Sequence, residues 1–195
     1  PWHYASILIG SVDRAIPLET TDENELYLFK DRYTTSGSPS SLTIDEDSLP
    51  DVTNCVTGAE TGCSAISLAL GWKIDLSVTG EKSLSTPVTA AGKVYFTAYT
   101  PGGSSACVPS EGSGTLYVVD LKDGTAAYND EREKDIGPGI PPSVTVIGND
   151  TLILPGTGIV NPNDDSGTAD KTKLMQAGGK PLYIIYWRES GMDSL

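Results

Sequence analysis

Histidine is almost missing from this chain: His3 is the single one among 195 residues. Systems in which an imidazole activates a serine or cysteine nucleophile therefore have little material. Basic residues are scarce as well. The 13 Lys and Arg face 26 Asp and Glu, for a formal charge of −13. That balance excludes nucleic acid as a partner, because phosphate binding needs a basic surface. It also opposes attraction to anionic lipid headgroups. No apolar run approaches the length of a transmembrane helix. No signal peptide is visible and residue 1 is Pro, so the sequence reads as a mature or partial piece of a longer chain. No GxSxG, Walker A or dinucleotide fingerprint occurs. Carboxylates are plentiful, but no pair stands out for acid/base work, and they read as solvated surface.

Cysteine is sparse too. Cys55 and Cys63 lie eight apart in a Gly/Thr-rich loop, and Cys107 sits alone in another. Without a CxxC pair or a nearby histidine, zinc is disfavoured. A local Cys55–Cys63 disulfide is the favoured reading and implies an oxidising compartment. A reduced pair in a cytosolic protein is the alternative. Cys107 is then free, or paired to chain outside this piece.

What is abundant is turn chemistry: 21 Gly and 13 Pro, with 9 Tyr and 3 Trp to furnish strands. Leu84–Tyr128 shows the pattern best. Runs at Ser85–Thr89, Lys93–Tyr99, Thr115–Leu121 and Thr125–Tyr128 are each bounded by Gly, Pro or Asp turns. Four strands in about 45 residues match one β-propeller blade. Other strands are expected at residues 4–12, Glu25–Arg32, Gly71–Leu76, Pro141–Val146, Thr151–Pro155 and Lys180–Glu189. In the last, Trp187 is placed facing the core, with Arg188 and Glu189 at the sheet end. Asn129–Gly139 reads as a link between blades, and Gly156–Gly179 as a polar insertion.

Residues 33–70 form one long insertion, with a short helix starting at Thr43 as its N-cap and ending before Pro50. The inserts 33–70, 100–114 and 156–179 are the expected recognition elements, since loops on a rigid scaffold usually carry binding. Removal of 33–70 is expected to leave the domain folded. Asn161–Asp170 has the oxygen density of a calcium loop. Ser166 stands where the glycine belongs and Thr172 where the glutamate belongs, so it reads as a polar surface loop. Asn149-Asp150-Thr151 is a formal glycosylation sequon within a tight turn. The fold class is all-β: about three C-terminal blades of a β-propeller, with long insertions and at most short helices. Three blades do not close a ring, which takes about four to eight. The rest of the propeller is expected upstream.

An ordered set of segments resembles the C-terminal propeller of the PilY1 family of type IV pilus proteins. It runs ILIGSVDRAIPL, ELYLFKDR, GWKIDL, GEKSLSTPVTAAGKVYFTAYTP, GTLYVVDLKDG, GIPPSVTVI and a terminal WRE. The resemblance implies a secreted, non-enzymatic protein of a Gram-negative surface, located at the pilus tip. It implies promotion of pilus assembly, opposition to retraction, and attachment to host or abiotic surfaces. Its partners would be minor pilins or a tip complex, engaged by strand addition to an exposed edge. The Asp-rich calcium loop of some family members is not found here. No cofactor is therefore assigned to this segment, and a calcium site, if this member has one, would lie upstream in the full-length protein. Gly10-Ser11-Val12-Asp13 departs from the family where a second glycine is expected. The alternatives are a quinoprotein-like propeller enzyme, suggested by the GKVYF and GTLYVVD phrasing, and a purely structural subunit of another extracellular assembly.

Overall fold

The computed structural model describes residues 4–31, 43–63, 66, 70–76, 78–103, 111–128 and 131–147. It also describes the backbone of short strands at 151–154, 158–160, 176–177 and 180–181. His3, Cys107, the Asn149-Asp150 turn, the Asn161–Asp170 loop, and Trp187, Arg188 and Glu189 lie outside the described residues. Of the expected last strand only Lys180–Pro181 is described.

Among the described residues, every regular element apart from one 3-10 turn is a strand. The first sheet joins β1 (Ala5–Gly10), β2 (Glu25–Asp31) and β3 (Gly71–Asp75) in that order. The second joins β4 (Val88–Ala90), β5 (Lys93–Thr100), β6 (Ser113–Asp120) and β7 (Glu133–Pro138). The third has β9 (Thr151–Leu154) between β8 (Thr145–Ile147) and β10 (Gly158–Val160). A ribbon pairs β11 (Gln176–Ala177) with β12 (Lys180–Pro181). All these pairings are antiparallel. The chain is all-β.

Period-two alternation assigns each side chain to a layer. From the first sheet, Leu26 opposite Ile74 and Leu28 opposite Trp72 turn inward. They meet Val94, Phe96, Ala98, Tyr117 and Val119 of the second sheet in one core. Phe96 and Tyr117 are register partners, and their rings stack with centroids 4.6 Å apart. The intervening residues Tyr95, Leu116 and Val118 point the other way, onto Tyr128 and Val144 ahead of β8. Both faces of the second sheet are thus covered, so β5 and β6 read as nearly unbroken apolar runs. Each large side chain buried in this way contributes about 1.5–3 kcal/mol.

Close approach dictates two glycines. A Cβ on Gly71 would collide with the Leu28 carbonyl across the β2–β3 pair. Gly124, at φ +72°, would drive one to 2.7 Å from Val52 and against the Trp72 ring.

Several expectations are corrected. The fourth strand of the second sheet is β7, inside the segment read as a link, and not Thr125–Tyr128. Thr125–Tyr128 makes only isolated bridges, Ala126 to Val119 and Tyr128 to Glu131. The sequence concealed β7 because it is an edge strand. Charges, Gly137 and a terminal Pro138 are tolerated there and protect the edge. Within the segment read as a polar insertion, β10 and β11 form. The helix expected from Thr43 is a single 3-10 turn, Glu46–Ser48, with Asp45 at the cap position. It ends early because the next residues lie along β3: Lys73 N–H donates to the Pro50 carbonyl at 3.0 Å and Val52 N–H to that of Lys73 at 2.8 Å.

Candidate functional site

β2 and β6 both end beside the start of β3, so the two sheets share one end. Trp72 Nε1 donates to the Leu121 carbonyl at 3.3 Å there, and Lys30 Nζ to that of Lys122. The described part of the β2–β3 connection folds back over this end and closes it. Leu49, Val52, Cys55, Cys63 and Ile66 are all buried, the last four within the main core. Cys55 and Cys63 form a disulfide with Cα atoms 5.7 Å apart. The Arg132 guanidinium enters the same region and donates to the carbonyls of Thr53, Val52 and Cys55 at 2.6, 2.8 and 2.8 Å. Burial lowers its pKa from the ordinary value. Lys30 supplies a second donor, to Ile66 O at 3.4 Å. Within the loop, the amide and hydroxyl of Thr57 donate to Glu60, and the amide bonds hold its carboxyl at about 2. A segment read as a detachable recognition insert is therefore, in its described part, a stapled piece of core. Its removal would take Val52, Cys55, Cys63 and Ile66 out of the core and uncover Trp72 rather than leave the domain intact.

The outer face of the first sheet carries a titratable cluster. Glu25 and Asp75 are direct cross-strand partners. Lys73 Nζ lies 2.7 Å from Glu25 Oε1, and the Tyr27 hydroxyl donates to Glu25 Oε2. Burial works against the Glu25 charge, yet hydrogen bonds with Lys73, Tyr27 and Asp75 outweigh it and lower its pKa. Burial and the hydrogen bond to Glu25 raise that of Asp75. Burial and the neighbouring Glu25 raise that of Tyr27. The cluster can share a proton across two strands. Among the described residues no group of three or more His, Cys, Asp or Glu gathers to hold a metal.

The other end of the sheets, where β1, β3, β5 and β7 finish, is built differently. The β1–β2 connection folds on itself. Ala15 N–H donates to Asp13 Oδ1 at 2.8 Å, and Glu19 N–H to the Ile16 carbonyl at 3.2 Å. The Thr21 hydroxyl and the Thr20 and Thr21 amides converge on Glu19 Oε1 and lower its pKa. This loop is tied to the β3–β4 connection: Gly80 N–H donates to Asp22 O at 2.7 Å and Asn24 Nδ2 to Glu81 O at 2.9 Å. Glu81 itself is buried and accepts from the Tyr117 hydroxyl at 3.0 Å. Glu81 is thus an exception to the reading of the carboxylates as solvated surface. Lys82 is buried with Asp22 3.7 Å away.

Of the residues singled out from sequence, the structure brings Cys55 and Cys63 together. It adds four that the sequence did not mark: Lys30, Glu81, Lys82 and Arg132, all buried. Arg132 sits in the charged run Asp130-Glu-Arg-Glu-Lys-Asp135. Nothing in that run's pattern distinguishes it from its exposed neighbours.

No protein-family model matches the chain. A 62-residue stretch is 45% identical to the type IV pilus biogenesis factor PilY1 homolog of Xylella fastidiosa, covering 29% of this chain and 4% of that protein. The fold matches the crystal structure of the Pseudomonas aeruginosa PilY1 C-terminal domain with a TM-score of 0.51 at 15% identity. That match covers 82% of this chain and 42% of the solved one. The matches thus cover less than half of the solved chain and a small fraction of the Xylella protein. Together, the sequence match and the fold match support its reading as a C-terminal portion of the PilY1 family.

Proposed function

We propose that this chain is the C-terminal part of a type IV pilus biogenesis factor that acts by binding and not by catalysis. The observation that carries this reading is the 45% identity over 62 residues to a protein named for pilus biogenesis. In the proposed role the protein promotes pilus assembly at the tip, opposes retraction and mediates attachment to surfaces or host cells. Minor pilins or a tip complex are its partners on the extracellular face.

The whole of 1–195 is proposed to belong to one propeller, with further blades supplied by the longer protein. The first and second sheets stack face to face in the same sense. Leu26-Tyr27-Leu28-Phe29 of β2 repeats as Leu116-Tyr117-Val118-Val119 of β6. Tyr117 and Val119 face the first sheet. Tyr27 and Phe29 point the equivalent way; opposite them Ile7 and Ile9 are about half exposed, while Tyr27 itself is buried. That outer face fits coverage by another sheet of the same kind, and the edge of β1, unpaired among the described residues, fits an added strand.

Deleting the segment encoding this chain in its native gene tests the role. Surface pili are expected to fall sharply, and to return when retraction is also disabled. Wild-type piliation in the deletion strain would overturn the reading.

A further inference from the structure

Six large hydrophobic side chains are exposed among the described residues, and four of them lie on connections at one end of the sheets. Ile16 and Leu18 sit in the β1–β2 connection, Val78 in the β3–β4 connection, and Ile140 just beyond β7. Their exposures are 52, 68, 48 and 56%. Single exposed aliphatics need no explanation, but a cluster on a defined end marks an interaction surface.

The loops that carry them are pre-organised. Asp13 and Glu19 lock the first loop through side-chain bonds to its own amides, and Asp22 and Asn24 lock it to the second. Ile140 is held by the Gly139 N–H bond to Gly112 O at 3.1 Å. Ordering cost for these loops is therefore already met in part before any partner arrives, which favours binding through the aliphatic side chains they carry. The β1–β2 connection also carries exposed Asp13, Asp22 and Glu23 against Arg14, and Glu111 is exposed on the β5–β6 connection at the same end.

We propose that this end is a docking surface for a protein partner that presents apolar side chains inside a Lys/Arg rim. Apolar contact would supply the affinity. The acidic rim would select the partner and speed its approach, so binding weakens with salt. The proposal goes beyond the pilus reading and does not depend on the partner being a pilin.

The test is photo-crosslinking in the native organism with the full-length protein. Leu18→p-benzoylphenylalanine is compared with Asp47→p-benzoylphenylalanine at the opposite end. The crosslinked residue is mapped by mass spectrometry. The expected result is a Leu18 product on an apolar site flanked by Lys or Arg, absent at Asp47. Its yield should fall severalfold between about 50 and about 500 mM salt. In a second strain, Ile16→Ser with Val78→Ser lowers that yield while leaving the amount of protein unchanged. The proposal is overturned by no product, by a product on another copy of this chain, by an acidic target site, or by a yield that salt leaves unchanged.

Discussion

The two ends of the stacked sheets both bury charged groups, Arg132 and Lys30 at one and Glu81 and Lys82 at the other, but they differ in what they expose. At the closed end, charged groups point inward: Arg132 and Lys30 spend their donors on loop carbonyls beneath a disulfide. At the open end, aliphatic groups point outward from loops fixed by their own polar side chains. The difference teaches which long connection maintains the fold and which presents a surface. Length alone suggests the opposite, because the β2–β3 connection is the longest in the chain and looks most like an insert.

Substitutions at each end should separate these roles. The largest effect is expected for Arg132→Met. It leaves three carbonyls of the closing loop without their donor, at a cost of about 3 kcal/mol. Urea-dependent pulse proteolysis should report it, and an unchanged midpoint would show the clamp to be idle. Cys55→Ser with Cys63→Ser comes next. Opening a loop this short should cost about 2.5 kcal/mol by the chain-entropy estimate, read by the same assay.

The Glu25–Asp75 pair should have a smaller effect, under about 1 kcal/mol for groups this solvated. Glu25 has a lowered pKa, so its contribution is present above its unfolded value and lost as pH falls through the folded one. Asp75 has a raised pKa, so its contribution is lost as pH rises through the folded value. The junction is tightest between the two. Asp75→Asn should remove the loss on the alkaline side of that window in a thermal midpoint measured against pH. A midpoint that keeps its alkaline decline would contradict the shared proton. Smallest of all, Ile16→Ser with Leu18→Ser should alter stability by no more than about 0.5 kcal/mol. A larger loss would mean that the open end is part of the core after all.

Much of the scaffold is legible in the sequence. β2, β3, β5 and β6 announce themselves through β-branched and aromatic residues between Gly, Asp and Pro turns. Cys55 and Cys63 announce their proximity through short spacing. β7 does not, because an edge strand with one solvated side is free to carry Glu133, Lys134 and Gly137. The closing loop misleads for another reason. Hydropathy cannot show that Ser/Thr/Gly-rich chain has its carbonyls satisfied by Arg132 and Lys30, which is what permits it to be buried. Burial of Glu81 is hidden likewise, since its partner Tyr117 lies 36 residues away. At the open end, Ile16 and Leu18 look like ordinary loop residues until the end they share with Val78 and Ile140 is known.

Hydrogen exchange measured on both ends of the folded protein tests this contrast most directly. The closing-loop amides of Val52 and Cys55, with that of Ala126, which donates to the loop carbonyl of Val56 at 2.7 Å, should exchange as slowly as Tyr95 and Val118 of the central strands. They would then open only with global unfolding, while the exposed tip of the β1–β2 loop exchanges sooner. Exchange of Val52 and Cys55 through a low-energy local opening, with the central strands still protected, would contradict the account.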